Sequence, residues 1–343
     1  MSAKPGQLPG HEPTVKPRRP TGRDVAQLAG VSQATVSLVF SGSESGHRVS
    51  EATRLRVLDS ARELGYRPQA AGRQLRLGRS GMALLAVPNL QGPFFGRVLA
   101  GVHEEAALHG LAVVVSSGWN AATLAEAATT SRFDGLLICS PDDSQLGGLP
   151  PDTPVVFLDA DPSAAAGSPT VELDLAGGME AVVAHLVALG HRRIGRLRST
   201  HEAHTFRVRQ AAFEQAARGL DVVELGVRLN QGEAAARAAG HELLDRPDRP
   251  RAVVCDDDVV ASGVYQAAAG LGLRIPADVS VVGIDNVAVA GLLTPPLTTV
   301  DLPGEQLGRT GIAALAGLLR GDPVPPVEPL ATSLIVRSST AAA

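Results

Sequence analysis

From Met82 onward, short apolar runs alternate with longer segments of helical periodicity, and this alternation constrains the fold more than any other feature. Eight runs have the length and the β-branched content of buried strands. In order they are MALLAV, LAVVVSS, GLLICS, PVVFLD, TVELD, RIGRLRS, AVVCDD and VSVVGID. Helical segments between them include 98–109, 176–189, 207–218 and 259–270. Near-continuous apolar strands separated by helices are typical of parallel sheets covered on both faces. Residues 81–343 are therefore predicted to form two doubly wound lobes with a cleft between them.

Two short helices begin the ordered part of the chain. TGRDVAQLAG places Val25, Leu28 and Ala29 on one face and ends at Gly30, a residue suited to a left-handed C-cap. VSQATVSLVF begins a second helix almost at once, with Ser32 as its N-cap and its valines facing inward. Two short helices joined by a turn of three or four residues that includes glycine are typical of a helix-turn-helix.

A third helix, EATRLRVLDSARELGYRP, completes a three-helix headpiece over residues 21–68. Ser50 is its expected N-cap, and Gly65 and Pro68 mark its end. Its predicted inward face consists of Leu55, Leu58, Ala61 and Leu64.

The charge is distributed unevenly along the chain. Residues 1–80 hold 13 Lys and Arg against 6 Asp and Glu, whereas the remainder holds 18 against 29. A basic head on an acidic body is typical of a nucleic-acid-binding module fused to another domain. A basic disordered tail is the alternative on charge alone. The proline-rich residues 1–20 lack periodic apolar positions, and we expect them to form a disordered leader.

The cysteines and the apolar segments indicate the cellular compartment in which the protein works. Cys139 and Cys255 each lie in a strand-like run without a second cysteine nearby, so they are predicted to be buried apolar residues rather than a disulfide or a metal site. The N-terminal segment lacks the apolar stretch of a signal peptide, and no apolar run approaches the length of a membrane span. A cytoplasmic protein without a membrane partner is expected.

Seven motifs in order resemble those of the LacI/GalR family of bacterial transcriptional regulators. They are DVAQLAGVSQATVSLVFSG, RVSEATRLRVLDSARELGYRP, PFFGRVLAGV, FDGLLI, HLVALGHRRIG, IPADVSVVGIDN and LTPPLTTV. The resemblance covers residues 21–343. It implies an all-α helix-turn-helix headpiece followed by a periplasmic-binding-protein-like α/β core. It also implies a repressor that binds double-stranded, palindromic operator DNA as a homodimer under the control of a small-molecule effector.

The second helix is the expected recognition helix, with its valines in the headpiece core and its polar side towards the major groove. In the family, the positions of Gln33 and Ala34 carry base readout, and the position of Leu38 often holds arginine. Because leucine cannot form hydrogen bonds, we expect Leu38 to contact a thymine methyl group. The full set of expected DNA-binding residues is Thr21, Ser32, Gln33, Ala34, Thr35, Ser37, Leu38, Arg48, Tyr66, Arg73, Leu75 and Arg76.

Residues 69–80 correspond to the hinge that, in relatives, becomes helical on the operator and inserts a leucine into the minor groove. Leu75 matches that leucine, and Arg73 and Arg76 can contact phosphates. Gln69 replaces the usual asparagine. Gly72 stands where alanine is common and disfavours helix formation by about 1 kcal/mol. A flexible basic linker is the alternative.

Seven candidate effector-binding residues fall at strand ends, where open α/β sheets hold ligands, and at family effector positions. They are Asn89, Phe94, Phe95, Asp159, Arg209, Asp257 and Asp285. Carboxylates beside an arginine bind vicinal hydroxyls, so a sugar or a sugar-like polyol is predicted. Asp257 occupies a position that usually holds asparagine. Two departures from the family leave a small non-sugar ligand, or none, as alternatives. Gly92 replaces the asparagine that commonly precedes Pro-Phe-Phe, and RLNQGEAAARAAG lacks the aromatic residue that relatives stack on a sugar.

The individual candidates also have plainer interpretations. Phe94 and Phe95 could be ordinary core residues, and Asp159 and Asp257 could be solvated loop acids. The predicted N-lobe comprises about 81–174 and 302–321, and the C-lobe about 175–301 and 322–343. No tetramerising helix follows LIVRSSTAAA, so a dimer is expected.

An enzyme and a two-lobe solute-binding protein are the rival interpretations. No dinucleotide-binding, Walker or GxSxG motif is present. HEAHT at 201–205 spaces its histidines by three residues, whereas a helical zinc site requires four. Asp256, Asp257 and Asp258 point in different directions and have no companion ligands. No enzyme, cofactor or metal site is therefore predicted, and an exported solute-binding protein would not carry a basic helical headpiece.

Replacing Leu75 with alanine is expected to weaken operator binding and to leave folding and effector binding intact, because only the wedge into the minor groove is removed. A mobility-shift titration at fixed salt measures the change. Unchanged operator affinity would contradict the assignment of Leu75 as the hinge leucine.

Overall fold

The structure is a computed structural model that describes residues 20–40, 49–66, 79–130, 132–142, 148–165, 167–228 and 232–343. The chain divides into two compact units, residues 1–79 and residues 80–343. No helix among the described residues is long and apolar enough to cross a membrane.

The first unit contains three helices, α1 (Gly22–Ala29), α2 (Gln33–Phe40) and α3 (Glu51–Glu63). Thr21 caps α1 through a reciprocal capping box with Asp24, and Gly30 ends it at φ 65°. Ser50 caps α3 by accepting a hydrogen bond from the amide of Thr53. The helices enclose a small core of Val25, Ala26, Ala29, Val36, Val57 and Ala61.

Two predicted core residues of this unit face solvent instead. Leu28 is 46% exposed and Leu55 is 52% exposed, and the buried positions are Ala26 and Val57. The inward faces are therefore rotated from the predicted ones towards smaller side chains. A unit of three short helices has little interior volume, which the small and β-branched residues fill.

The second unit contains 19 elements within the described residues. In chain order they are β1 (Met82–Val87), α4 (Pro93–Leu108), β2 (Ala112–Ser117), α5 (Ala121–Thr129), β3 (Gly135–Cys139), β4 (Val155–Leu158), β5 (Thr170–Val171), α6 (Leu175–Ala188), β6 (Arg193–Ser199), α7 (His204–Ala216), β7 (Asp221–Val227), α8 (Gly232–Leu244), β8 (Ala252–Cys255), α9 (Asp258–Gly270), β9 (Ser280–Asp285), α10 (Ala288–Leu292), β10 (Thr298–Asp301), α11 (Gly304–Arg320) and β11 (Ser333–Ile335).

The strands form two sheets, one for each lobe. The first has the order β2-β1-β3-β4-β5 and is parallel throughout. The second has the order β11-β10-β9-β8-β6-β7, with β11 antiparallel to β10 and the other pairs parallel. The predicted parallel sheets are confirmed, and β11, which was not among the predicted strands, adds an antiparallel edge strand to the second sheet. In each sheet the strand order reverses once, between β1 and β3 and between β6 and β8, and ligands of such sheets bind at the carboxyl ends beside this point.

The chain passes between the two sheets three times, and the first and last passages lie side by side. Asp174 donates its amide to the carbonyl of Leu330, and Leu330 donates its amide to the carbonyl of Glu172. The middle passage, after β10, contributes the buried Leu302. Leu173, Leu302 and Leu330 belong to one apolar cluster that includes residues of both lobes. Each of the three passages between the lobes thus places a leucine in this shared cluster.

Helix α11 returns to the first sheet, where it packs against α4 through glycines. A Cβ atom at Gly101 would lie 1.9 Å from the backbone carbonyl oxygen of Glu305. A Cβ atom at Gly308 would lie 2.2 Å from the carbonyl oxygen of Val98. The two backbones therefore approach closely only because both positions lack a side chain.

Gly101→Ala is expected to lower the free energy of unfolding by about 2 kcal/mol or more, because the two helix backbones must move apart. The matched control is Gly96→Ala on the exposed side of α4, where an added Cβ meets nothing within 4 Å. That change should be neutral or stabilising by about 0.5 kcal/mol. Urea unfolding of both variants measures the difference, and equal stabilities would contradict the close helix contact.

Candidate functional site

Helix α2 presents a polar surface to solvent while Val36 anchors it in the headpiece core. Gln33, Ala34 and Ser37 are exposed, whereas Val36 is 2% exposed. Leu38 and Thr35 are partly buried at the edges of this surface. An exposed face of small and amide-bearing side chains fits the width and the hydrogen-bonding pattern of the DNA major groove.

Three other residues predicted to bind DNA have structural roles within the headpiece. Ser32 accepts a hydrogen bond from the amide of Thr35 at 3.1 Å and so caps α2. Thr21 caps α1, and Tyr66 packs edge-on against Phe40 with ring centroids 5.8 Å apart. Arg48, Arg73, Leu75 and Arg76 lie outside the described residues, as do Gln69 and Gly72.

In the second unit, Arg209 of α7 lies among carboxylates at the strand ends. Its Nη1 donates to the carbonyl oxygen of Asp256 at 2.7 Å, and its Nη2 lies 3.6 Å from the carboxylate of Asp285. Arg209 is 5% exposed, and its guanidinium lies over the ring of Phe206. It also attracts the carboxylate of Asp159, which follows β4 in the other lobe. One guanidinium thus faces acids from both lobes.

The backbone is strained at the same strand ends. Ser140, Asp159, Asp285 and Asn286 have φ values of 45°, 51°, 106° and 52°. These four are the non-glycine residues with positive φ in the described chain. Ser140 follows β3 and donates a hydrogen bond from its hydroxyl to Asp159 at 3.0 Å. Side chains held in this region of φ are uncommon and gather at functional sites.

Burial dominates the electrostatics of these acids. It raises the pKa of Asp159, that of Asp257 and that of Asp285 above 3.8, and the effect on Asp285 is large. Burial also raises the pKa of Asp258 to about 7, although Asp258 accepts hydrogen bonds from the hydroxyl of Thr299 and the amide of Val287. The attraction of Arg209 lowers the pKa of Asp159, but less than burial raises it.

The remaining predicted effector residues have local contacts of their own. The carboxylate of Asp257 caps α9 by accepting from the amide of Val260 at 2.5 Å. Asn89 accepts from the amide of Gly92 at 2.6 Å and shapes the turn before α4. Phe94 is 8% exposed and belongs to the apolar core, with the partly buried Phe95 packed edge-on against it. Arg209 and Asp285 are therefore the candidates in direct contact, and Asp159 and Asp257 lie near enough to Arg209 to feel its charge.

Two further sets of contacts cross between the lobes and were not predicted from the sequence. On one side, Asp161 lies 3.9 Å from both His204 and Arg207 of α7. On the other, Arg97 of α4 donates to the carbonyl oxygen of Asp285 at 2.9 Å and to the carboxylate of Asp301 at 3.1 Å. These residues are far apart in the chain, so no local spacing indicates their pairing. The described residues contain no group of three side chains arranged to hold a metal ion.

Comparison with known proteins identifies the family. Residues 21–69 match the model of the bacterial regulatory proteins of the lacI family, and residues 183–340 match that of a periplasmic binding protein-like domain. The HTH-type transcriptional repressor CytR of Escherichia coli K12 is 32% identical over 336 residues, which cover 94% of this chain and 96% of that relative. The chain belongs to the LacI family. It is a DNA-binding transcriptional regulator, and the predicted family and two-part fold are confirmed.

Other proteins are similar to this chain in sequence or structure over most of its length. The PurR repressor of Photobacterium profundum is 32% identical over 316 residues, which cover 86% of this chain and 90% of that relative. The crystal structure of the lac repressor dimer bound to operator and the anti-inducer ONPF superposes with a TM-score of 0.82 at 28% identity, over 95% of this chain and all of that one. A CelR–cellobiose complex superposes with a TM-score of 0.66 at 29% identity, over 94% of this chain and all of that one.

Asp159→Asn is expected to stabilise the protein increasingly as the pH rises above 3.8, the ordinary pKa of the carboxyl. A carboxyl group whose pKa is raised in the folded state loses stability as it ionises, and asparagine does not ionise. Asparagine also tolerates the positive φ of this position. Thermal denaturation at pH 5 and pH 8 should show a melting temperature higher than wild type by a few degrees at pH 8 and a smaller difference at pH 5.

Asp161→Asn is the control of opposite sign, since the hydrogen bonds from Ser163 lower the pKa of Asp161 in the folded protein. This variant should be less stable than wild type by a similar margin at pH 5 and pH 8, because both lie above 3.8, the ordinary pKa of the group. A shift in the same direction for both variants would contradict the electrostatic difference between the two carboxyl groups.

Proposed function

We propose that this LacI-family protein is a repressor that binds a palindromic operator as a homodimer and reads the major groove with α2. The observation that carries the proposal is the polar surface of α2, in which Gln33, Ala34 and Ser37 face solvent around the anchored Val36. The lac repressor structure at 28% identity, a dimer on its operator, supports both the dimer and the DNA target. Since the DNA of a bacterium lies in its cytoplasm, a cytoplasmic location is proposed for this regulator.

Gln33 and Leu38 are proposed to set the operator sequence. A glutamine amide can bind adenine bidentately through N6 and N7 in the major groove. Leu38 has an aliphatic side chain without a donor or an acceptor, so its base contact is proposed to be the methyl group of thymine. The operator should therefore be richer in A·T pairs at these positions than that of a relative with arginine in place of Leu38.

The cleft between the lobes is proposed to bind a small effector with several hydroxyl groups. Arg209 supplies donors, and Asp159 and Asp285 supply acceptors, which is the arrangement that holds vicinal hydroxyls. The similar CelR structure is a complex with cellobiose. A non-sugar effector is the alternative because the chain lacks the stacking aromatic residue that relatives use.

Control of DNA binding is proposed to be a population shift and to involve no catalysis. An effector that binds more tightly to one arrangement of the lobes increases the fraction of protein in that arrangement, and the affinity for the operator changes with it. The contacts of Asp161 with α7 and of Arg97 with Asp285 join the two lobes. They can form only while the lobes are close together, so they favour the closed arrangement over an open one. The carboxylates of the cleft are proposed to bind ligand and not to act on it.

Gln33→Ala is expected to weaken operator binding by about 5- to 150-fold, which corresponds to the ~1–3 kcal/mol of a bidentate base contact. Binding to a random DNA fragment should not change, because phosphate contacts remain. The matched control is Gln27→Ala, an exposed glutamine of α1. The measurement is a mobility-shift titration at fixed salt with a fragment of the upstream region that the protein protects in a footprint.

A different result for these variants would overturn the assignment of α2. If Gln33→Ala binds the operator as wild type does, the base contacts lie elsewhere. If Gln27→Ala weakens binding equally, the effect is not specific to the recognition helix. Failure of the wild-type protein to protect any DNA would contradict the repressor proposal itself.

A further inference from the structure

The acids around the cleft outnumber the cations that pair with them. Four carboxylates have a cation within 4 Å. The pairs are Asp256–Arg196 at 2.7 Å, Asp301–Arg97 at 3.1 Å, Asp285–Arg209 at 3.6 Å and Asp161–Arg207 at 3.9 Å. Asp159 and Asp257 have no such pair within the described residues, although both lie near enough to Arg209 to feel its charge. One guanidinium therefore serves three carboxylates.

The surroundings of the two unmatched acids do not supply the missing charge. Asp159 is 3% exposed and accepts a hydrogen bond from Ser140. His204 adds a positive charge near Asp159 only when it is protonated, and it lies 3.9 Å from Asp161. Asp257 accepts backbone amide hydrogen bonds at the start of α9 and faces the further negative charge of Asp256. Glu172 adds another acid on the side of Asp159.

A buried carboxylate without a cation is unfavourable, so it either takes up a proton or recruits a positive charge. The raised pKa values of Asp159 and Asp257 agree with this unfavourable state in the protein without ligand. A neutral sugar can donate hydrogen bonds to these oxygens but leaves the charge uncompensated. An ammonium group supplies both three donors and the charge.

The same site also contains a donor without an acceptor. The Nε of Arg209 is buried and has no hydrogen-bond partner among the described residues, although the two terminal nitrogens of this guanidinium have contacts. A buried donor without a partner costs free energy that a ligand oxygen in contact with it would recover. The site therefore suits a ligand with cationic donors for the carboxylates and an oxygen acceptor for Arg209.

We propose that the ligand of this cleft carries a protonated amine beside its hydroxyl groups, as an amino sugar does. The ammonium group lies between Asp159 and Asp257, and a hydroxyl or ring oxygen accepts from Arg209. This inference rests on the proposed effector function of the cleft and specifies the chemical class of its ligand. Asp257, where relatives commonly have asparagine, is then the residue that selects an amine over a neutral hydroxyl.

Matched pairs of sugars test this selectivity on the full chain. The probes are glucosamine with glucose, galactosamine with galactose and mannosamine with mannose, titrated calorimetrically at pH 7. At least one amino sugar should bind at least 10-fold more tightly than its neutral partner, and N-acetylation of that sugar should remove the preference because it removes the charge. Binding of the neutral partner with equal or greater affinity would overturn the proposal, as would the absence of binding by all three amino sugars at 10 mM.

Asp257→Asn tests the residue assigned to selection. Asparagine caps helices as well as aspartate does, so the fold is retained. The preference for the amino sugar should fall at least 10-fold in this variant and likewise in Asp159→Asn. Asp221→Asn is the control, since Asp221 pairs with Arg193 at the amino-terminal ends of β6 and β7, away from the cleft. An undiminished preference in Asp257→Asn would overturn the role of that residue.

Operator binding by the same preparations separates this inference from the proposed function. Protection of a DNA palindrome together with no preference for amines would overturn only the ligand class. Loss of all DNA binding by the wild-type protein would overturn the repressor function, whatever the sugar titrations show.

Discussion

The buried guanidinium of Arg209 is the contact on which the arrangement of the cleft depends. It contacts Asp285 and the backbone of Asp256 in its own lobe and attracts Asp159 across the cleft. A guanidinium remains charged under all ordinary conditions, so its position determines where carboxylates can be buried. Removing the arginine would leave several acids in a low-dielectric region without a cation, and they would repel one another or take up protons. The same residue thus holds the acids of the cleft and is the cation of the proposed effector site.

Arg209 is itself held in place by a second buried ion pair. Arg196 is fully buried, donates to Asp256 at 2.7 Å and lies over the ring of Phe213 at 4.2 Å. The other carboxylate oxygen of Asp256 accepts from the amide of Ser199, and its backbone carbonyl accepts from Arg209. Such a buried pair adds little net stability, but each partner fixes the position of the other. The pair therefore positions Arg209 more than it strengthens the fold.

The elements that the sequence predicts best are those whose pattern is local. Buried strands such as Gly135–Cys139 and Ala252–Cys255 have continuous apolar runs, and α2 has a cap and an anchored face. The strand Asp221–Val227 escaped prediction because it is a largely exposed edge strand with polar residues among its apolar ones. Helical periodicity placed Leu28 and Leu55 on the inward faces of α1 and α3, whereas three short helices leave room only for smaller side chains.

Strand ends indicated Asp159 and Asp285 in the sequence, because carboxyl ends of parallel strands meet at one edge, whereas the family resemblance indicated Arg209. Their role as ligand contacts stays a prediction. The contacts of Arg97 and Asp161 could not be inferred, since each joins segments that only the folded lobes bring together. Both of these contacts are partly exposed to solvent, so each contributes at most about 1 kcal/mol to closure. A ligand can shift a population only by its differential affinity for the two states. Because the contacts that favour closure are this weak, binding of one small effector is enough to change the fraction of closed protein. In the proposed site, an effector neutralises the negative charge of acids from both lobes, and it can do so only when the lobes are closed.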